Sequence, residues 1–199
     1  MCLIIIKPPD IDFPQEPLLK YSFLLNPDGI GFAFDYNGQV QIHRGYMNFA
    51  GFIKDYNQTI EDIPDLKNHT MIIHFRRASR GKVKPELTHP FPISNDMEIL
   101  TQAHLSAPFA LFHNGTIKML DKEVKKSKGL KSDTLLFVEK YLYLLSQNQD
   151  WFNNPANKAL LELLVGDSRV AILSGQGYML IGQFHKHNGL LFSKDMGNL

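Results

Sequence analysis

A single cysteine stands among the 199 residues, at position 2. That scarcity excludes an internal disulfide and any cysteine-rich zinc site, and it suits a reducing compartment. Neither sign of charge is in excess: 21 Lys and Arg balance 20 Asp and Glu, leaving a net charge of +1. No global field therefore points to nucleic acid or to a membrane surface. Long apolar runs are also lacking. None approaches the roughly 20 residues that span a bilayer, and the start lacks the basic segment and apolar core of a signal peptide. The expectation is a cytoplasmic protein with no membrane or nucleic-acid partner. The sequence shows no internal repeat, low-complexity segment or obvious linker, so one domain over residues 1–199 is expected. A hydrophobic share of 44% is enough for a sizeable core at this length.

The lone cysteine heads an apolar run, Cys2-Leu3-Ile4-Ile5-Ile6, that reads as a buried strand. Removal of Met1 would leave one residue with both a thiol and a free α-amine. Their reference pKa values are about 8.5 and about 7.7–8.0. Both titrate near neutral pH, so the amine can take the thiol proton and the chain end can act as its own general base. A cysteine is more often a small core hydrophobe, so the functional reading depends on partners elsewhere in the chain.

Along the chain, Lys7-Pro8-Pro9 must leave the sheet, and 15–25 reads as a short helix. Asn26-Pro27-Asp28-Gly29 is a turn. Gly31–Asp35 and Val40–His43 form a hairpin about Asn37-Gly38. Asn48 caps a helix over Phe49–Tyr56, and Thr59–His69 reads as a polar connection. Met71–Phe75 is a strand, followed by a loop holding Pro85, Pro90 and Pro92. Phe109–Phe112 is another strand. The lysine-rich stretch from Lys118 to Lys131 reads as a solvated loop. Ser132 caps a long helix through Leu145, and Pro155 opens one ending near Val165. Arg169–Phe192 reads as two or three antiparallel strands. Hairpins with grouped helices indicate an α+β layered fold with a largely antiparallel sheet.

Three loops at strand ends carry groups that would complete a site begun by Cys2. In His74-Phe75-Arg76-Arg77-Ala78-Ser79-Arg80-Gly81, the Arg76 guanidinium can grip a carboxylate and Ser79 can add a hydroxyl. In His113-Asn114-Gly115, an amide side chain adjoins a glycine N–H whose backbone can approach a reacting carbonyl, as in an oxyanion hole. In Ser132-Asp133-Thr134, an acidic residue can hold an ammonium group. A carboxylate binder with an ammonium binder suits a free amino acid, and a thiolate with an oxyanion hole suits amide cleavage. His185-Lys186-His187 puts two imidazoles on one strand face, but no acidic or cysteine cluster joins them. No metal and no cofactor is expected.

These motifs, in this order, together with Asn26-Pro27-Asp28-Gly29-Ile30-Gly31 and His89-Pro90-Phe91-Pro92, resemble the class II, N-terminal-nucleophile glutamine amidotransferases, and more narrowly the short free-standing members of phage genomes. The resemblance covers residues 1 to about 140. It implies a four-layer αββα sandwich. It implies Cys2 as nucleophile, Asn114 and Gly115 at the oxyanion, Arg76 and Ser79 on the glutamine carboxylate, Asp133 on its ammonium, and His89 near the substrate. L-glutamine is the implied substrate, with ammonia passing to a separate acceptor-binding synthase, since no synthase domain is expected within the chain. Arg77, Ser79, Arg80 and Leu135 depart from the usual family residues, and Arg77 with Arg80 alters the pocket rim. The alternatives are an amidase of the same fold acting on another amide, or a non-catalytic binding module should Met1 be retained.

Overall fold

The computed structural model describes residues 2–195; the expected removal of Met1 concerns a residue outside that range. In chain order its elements are β1 (Leu3–Lys7), α1 (Glu16–Leu25), β2 (Ile30–Tyr36), β3 (Gln39–Tyr46), α2 (Phe49–Asp62), β4 (Met71–Phe75), β5 (Phe91–Pro92), α3 (Met97–Thr101), β6 (His104–Ala107), β7 (Phe109–Asn114), α4 (Asp121–Lys126), α5 (Asp133–Phe137), α6 (Tyr143–Ser146), α7 (Pro155–Val165), β8 (Arg169–Ser174), β9 (Gly177–Ile181), β10 (His185–His187) and β11 (Leu190–Phe192). A π-helical turn over Val138–Leu142 joins α5 to α6.

The strands form two antiparallel sheets, ordered β10-β11-β1-β4-β2-β3-β6 and β5-β7-β8-β9. Strand β1 shows why they stack. All five of its residues are buried, and their side chains alternate between two cores. Leu3 and Ile5 join Phe32, Phe34, Phe52, Tyr56 and Leu19 under α1 and α2. Ile4 and Ile6 face Ala110, Phe112, Ala171 and Leu173 of the smaller sheet. That sheet turns Leu111, Val170, Ile172 and Ile181 toward Leu135, Phe137, Leu161 and Val165 of α5 and α7. Helix, sheet, sheet and helix layers thus enclose three cores, the αββα arrangement expected from the sequence. Each fully buried Leu, Ile or Phe contributes roughly 1.5–3 kcal/mol relative to an exposed one.

Several expectations need correction. Helix α2 runs on to Asp62, so Thr59–Asp62 is helical and Thr59 is one of its buried residues. The proline-rich stretch holds β5, α3 and β6 as well as loop. Strand β7 extends through Asn114. The lysine-rich segment contains a 3-10 turn at Lys118–Leu120 and then α4, pinned by buried Leu120 and Val124. The tail has four strands divided between the sheets, because β8 and β9 pair beside β7 while β11 pairs with β1.

Candidate active site

Antiparallel pairing sets the geometry. Leu3 stands opposite Phe75, so the start of β1 lies beside the end of β4. The next residues on each side then meet: the Arg77 N–H points at Cys2 Sγ from 3.3 Å. Burial pushes the Cys2 thiol above its ordinary value, opposed by the Arg77 N–H and by the charges of Arg76 and Lys194.

The Asn26–Gly31 motif knits this corner together. The Asp28 N–H donates to Arg76 O at 3.0 Å, and the Arg76 N–H to Gly29 O at 2.8 Å. Asp28 Oδ2 accepts from the Ala78 N–H at 2.8 Å. Glycine is required at position 31, because a Cβ there would stand 2.1 Å from His89 O. That close approach seats the His89 segment against β2.

Arg76, 2% exposed, donates to Lys82 O at 3.0 Å and Arg80 O at 3.2 Å, so its guanidinium also braces its own loop. Asp133 opens α5, where Ser132 Oγ caps the Leu135 N–H at 3.1 Å. The Asp133 carboxylate accepts from the Ile117 N–H at 2.8 Å and the Thr134 N–H at 2.9 Å. Asn114 is 1% exposed; its Nδ2 donates to Ser193 Oγ at 2.9 Å, while its Oδ1 has no hydrogen-bond partner.

Cys2, Arg76, Ser79, His89, Gly115 and Asp133 all border one small cavity of about 20 Å³. Asn114 adjoins it without forming its wall. Beside it, Cys2 and Gly115 also border an open cleft of about 510 Å³ whose rim carries Arg77, Lys118 and Arg169. Arg80 is drawn aside by Asp121, with Nε 2.8 Å from Oδ1. The Arg77 guanidinium reaches Leu25 O at the end of α1, at 3.3 Å.

Gly115 serves a purpose the sequence reading did not foresee. Its missing Cβ would meet Ser168 Oγ at 2.3 Å and Ser168 Cα at 2.9 Å, so the glycine accommodates the β8 approach. Other contributors were missed as well. Ser193 Oγ accepts from the Ile4 N–H at 2.9 Å as well as from Asn114, tying β1 to the amide side chain. Behind the small cavity, His74 stacks on His89 with centroids 4.0 Å apart, and His74 Nε2–H donates to His113 O at 3.0 Å. His113 Nδ1 shares a hydrogen bond with Thr134 Oγ1 at 2.7 Å. Burial holds all three imidazoles below their ordinary pKa, His74 at about 3. His185 and His187 lie on β10, with β11 and β1 between it and the β4 strand that carries His74.

No family model and no curated protein matches the chain. Among solved structures, the backbone is similar to glutamine phosphoribosylpyrophosphate amidotransferase from B. subtilis complexed with ADP and GMP, at 13% identity and a TM-score of 0.48, over 96% of this chain and 41% of that one. It is similar also to a structure described as the allosteric regulatory enzyme of purine biosynthesis, at 14% identity and a TM-score of 0.48, over 96% of this chain and 41% of that one.

Proposed function

We propose that the protein is an N-terminal-nucleophile amidohydrolase that cleaves the side-chain amide of glutamine through a Cys2 thioester. The observation that carries this reading is the convergence on one cavity of a thiol, a guanidinium, a carboxylate and a glycine N–H segment drawn from four separate places in the chain. Once Met1 is removed, the Cys2 α-amine takes the thiol proton. The sulfur then attacks the amide carbon, forming a C–S bond while the carbonyl oxygen gathers charge beside Gly115 and Asn114. Collapse breaks the C–N bond, and the proton held by the amine leaves with nitrogen as ammonia. Water then hydrolyses the thioester to glutamate and restores the thiol. Arg76 and Asp133 orient the substrate carboxylate and ammonium, with Ser79 and His89 beside them. The ammonia passes to a separate acceptor-binding protein.

The small cavity has room for little more than a water. Substrate entry therefore displaces its most exposed wall, the loop bearing Arg77 and Ser79. That same observation favours a second reading, in which the substrate is a larger amide lying in the open cleft, whose volume falls within the usual range for ligand sites.

Ammonia release from glutamine and from a panel of other primary amides, including γ-glutamyl derivatives, separates the two. Glutamine as the best substrate supports the first reading. Turnover of larger amides with glutamine untouched supports the second. No turnover of any amide by protein with a free Cys2 amine overturns both.

A further inference from the structure

We propose that His43, Asp55 and His104 form a binding site for a divalent transition-metal ion, with Zn²⁺ as the natural probe, on the helix-covered side of the larger sheet. None of the three borders either cavity at Cys2, so the site is separate from the one proposed for amide cleavage.

The fold assembles it from three elements. Strands β3 and β6 are antiparallel neighbours, and His43 stands directly opposite His104. Directly paired residues project to the same face of a sheet, and the two imidazole centroids are 5.0 Å apart. Helix α2 packs on that face and supplies Asp55, whose Oδ2 lies 2.8 Å from His43 Nδ1. One potential ligand atom from each of the three residues falls within 4.8 Å of the others, and among the described residues this is the group of three His, Cys, Asp or Glu side chains gathered so closely. Ligand atoms around a tetrahedral zinc stand about 3.3 Å apart, given arms of about 2.0–2.1 Å. A small swing of the exposed His104 ring, with His43 and Asp55 parting by about 0.5 Å, closes the difference.

The donor chemistry selects the ion. Two imidazole nitrogens and one carboxylate oxygen suit zinc and its late first-row neighbours, whereas Ca²⁺ and Mg²⁺ require oxygen-rich surroundings that this corner does not offer. The surroundings also hold the ligands in place. The Tyr46 hydroxyl donates to Asp55 Oδ2, and the His43 ring lies against Phe32 with centroids 4.8 Å apart. Such outer contacts fix the orientation of ligating side chains. On binding, the ion takes the place of the proton between His43 Nδ1 and Asp55 Oδ2, and the neutral imidazole carries its proton on Nε2 instead. The ion would then clip α2 to β6, the edge strand of its sheet.

The test is equilibrium dialysis of the full chain against Zn²⁺ after treatment with chelator, with bound metal counted and the melting temperature followed. A Cys2→Ala background removes the thiol as a competing ligand. One Zn²⁺ per chain and a raised melting temperature are expected in that background, with no such rise in Mg²⁺. Adding His104→Ala, an exposed position that the fold tolerates, should weaken binding by about tenfold or more. Adding His185→Ala with His187→Ala instead should leave binding unchanged. Zinc binding that survives His104→Ala, that is lost with His185 and His187, or that is absent from the background protein would each overturn the proposal.

Discussion

At the scale of the residue, two positions near Cys2 show how structural and chemical demands overlap. Gly115 borders the cleft, yet its absent Cβ points into Ser168. Gly115→Ala should therefore overpack the β7–β8 junction and cost roughly 1–3 kcal/mol, read as a lower urea midpoint with unchanged slope. A midpoint equal to wild type would mean that the backbone at 115 has room to spare. Asp133 poses the opposite difficulty. Alanine there would remove the charge and also strand the buried N–H groups of Ile117 and Thr134, at about 1–3 kcal/mol. Asp133→Asn removes the charge and keeps one of the two acceptor oxygens, so it leaves one of those N–H groups without a partner rather than both and disturbs the fold less than alanine. It should melt lower than wild type, by about 1–3 kcal/mol of stability, and, measured well below its melting temperature, lower kcat/KM for glutamine by a factor corresponding to roughly 2–5 kcal/mol. Analogues without the α-amine should be disfavoured much less in the variant. Equal discrimination by both proteins would remove Asp133 from substrate recognition.

At the scale of the element, α5 carries Asp133 into place, and its N-cap fixes that geometry. Ser132 is 4% exposed and its hydroxyl accepts from the Leu135 N–H. Ser132→Ala should cost about 1 kcal/mol of stability. It should also impair substrate binding more than an exposed cap would, because Asp133 is the next residue; a variant with lowered stability and an unaltered KM would uncouple the two. Elements with a local signal were legible in the sequence. The continuous apolar run of β1, the Asn-Gly hairpin of β2 and β3, the Asn48 and Ser132 caps and the Pro155 helix start all declare themselves within a few residues. Elements whose formation rests on distant partners were not. Strand β6 exists because β3 offers it an edge, and the tail strands divide between sheets according to neighbours more than 50 residues away. The site followed the same rule. The thiol and charged side chains that line its cavity stand in short motifs, so their residue types marked them as candidates. Ser193 and Ser168 act through contacts between segments, and no local pattern marks them; His74, His89 and His113 stand in the sequence motifs, but their stacking and hydrogen bonding to one another and to Thr134 do not show there.

At the scale of the whole molecule, the three neutral imidazoles of His74, His89 and His113 make stability depend on pH. Burial lowers the folded pKa of each, to about 3 for His74, from an unfolded value of 6.5. Above 6.5 neither state is protonated at these sites, and their contribution to stability is fully present. As pH falls below 6.5 the unfolded chain takes up protons that the folded one refuses, so stability drops through the window from 6.5 toward 3. His74 contributes a slope of up to about 1.4 kcal/mol per pH unit between those values, and His89 and His113 add to it in the same direction. Urea titrations should show stability level near pH 7–8 and falling steeply below about 6.5. A flat profile down to pH 5 would mean that these histidines are charged or hydrated in the folded state.

The central claim is that Cys2, with its own α-amine free, is the nucleophile of an amide-cleaving site. Intact mass of the purified protein, before and after the glutamine-analogue electrophile diazo-oxo-norleucine, tests it most directly. The account predicts a mass lacking Met1, a single adduct that maps to Cys2, and no adduct on Cys2→Ala. Retention of Met1 throughout an unreactive protein, or full labelling of Cys2→Ala, would contradict it.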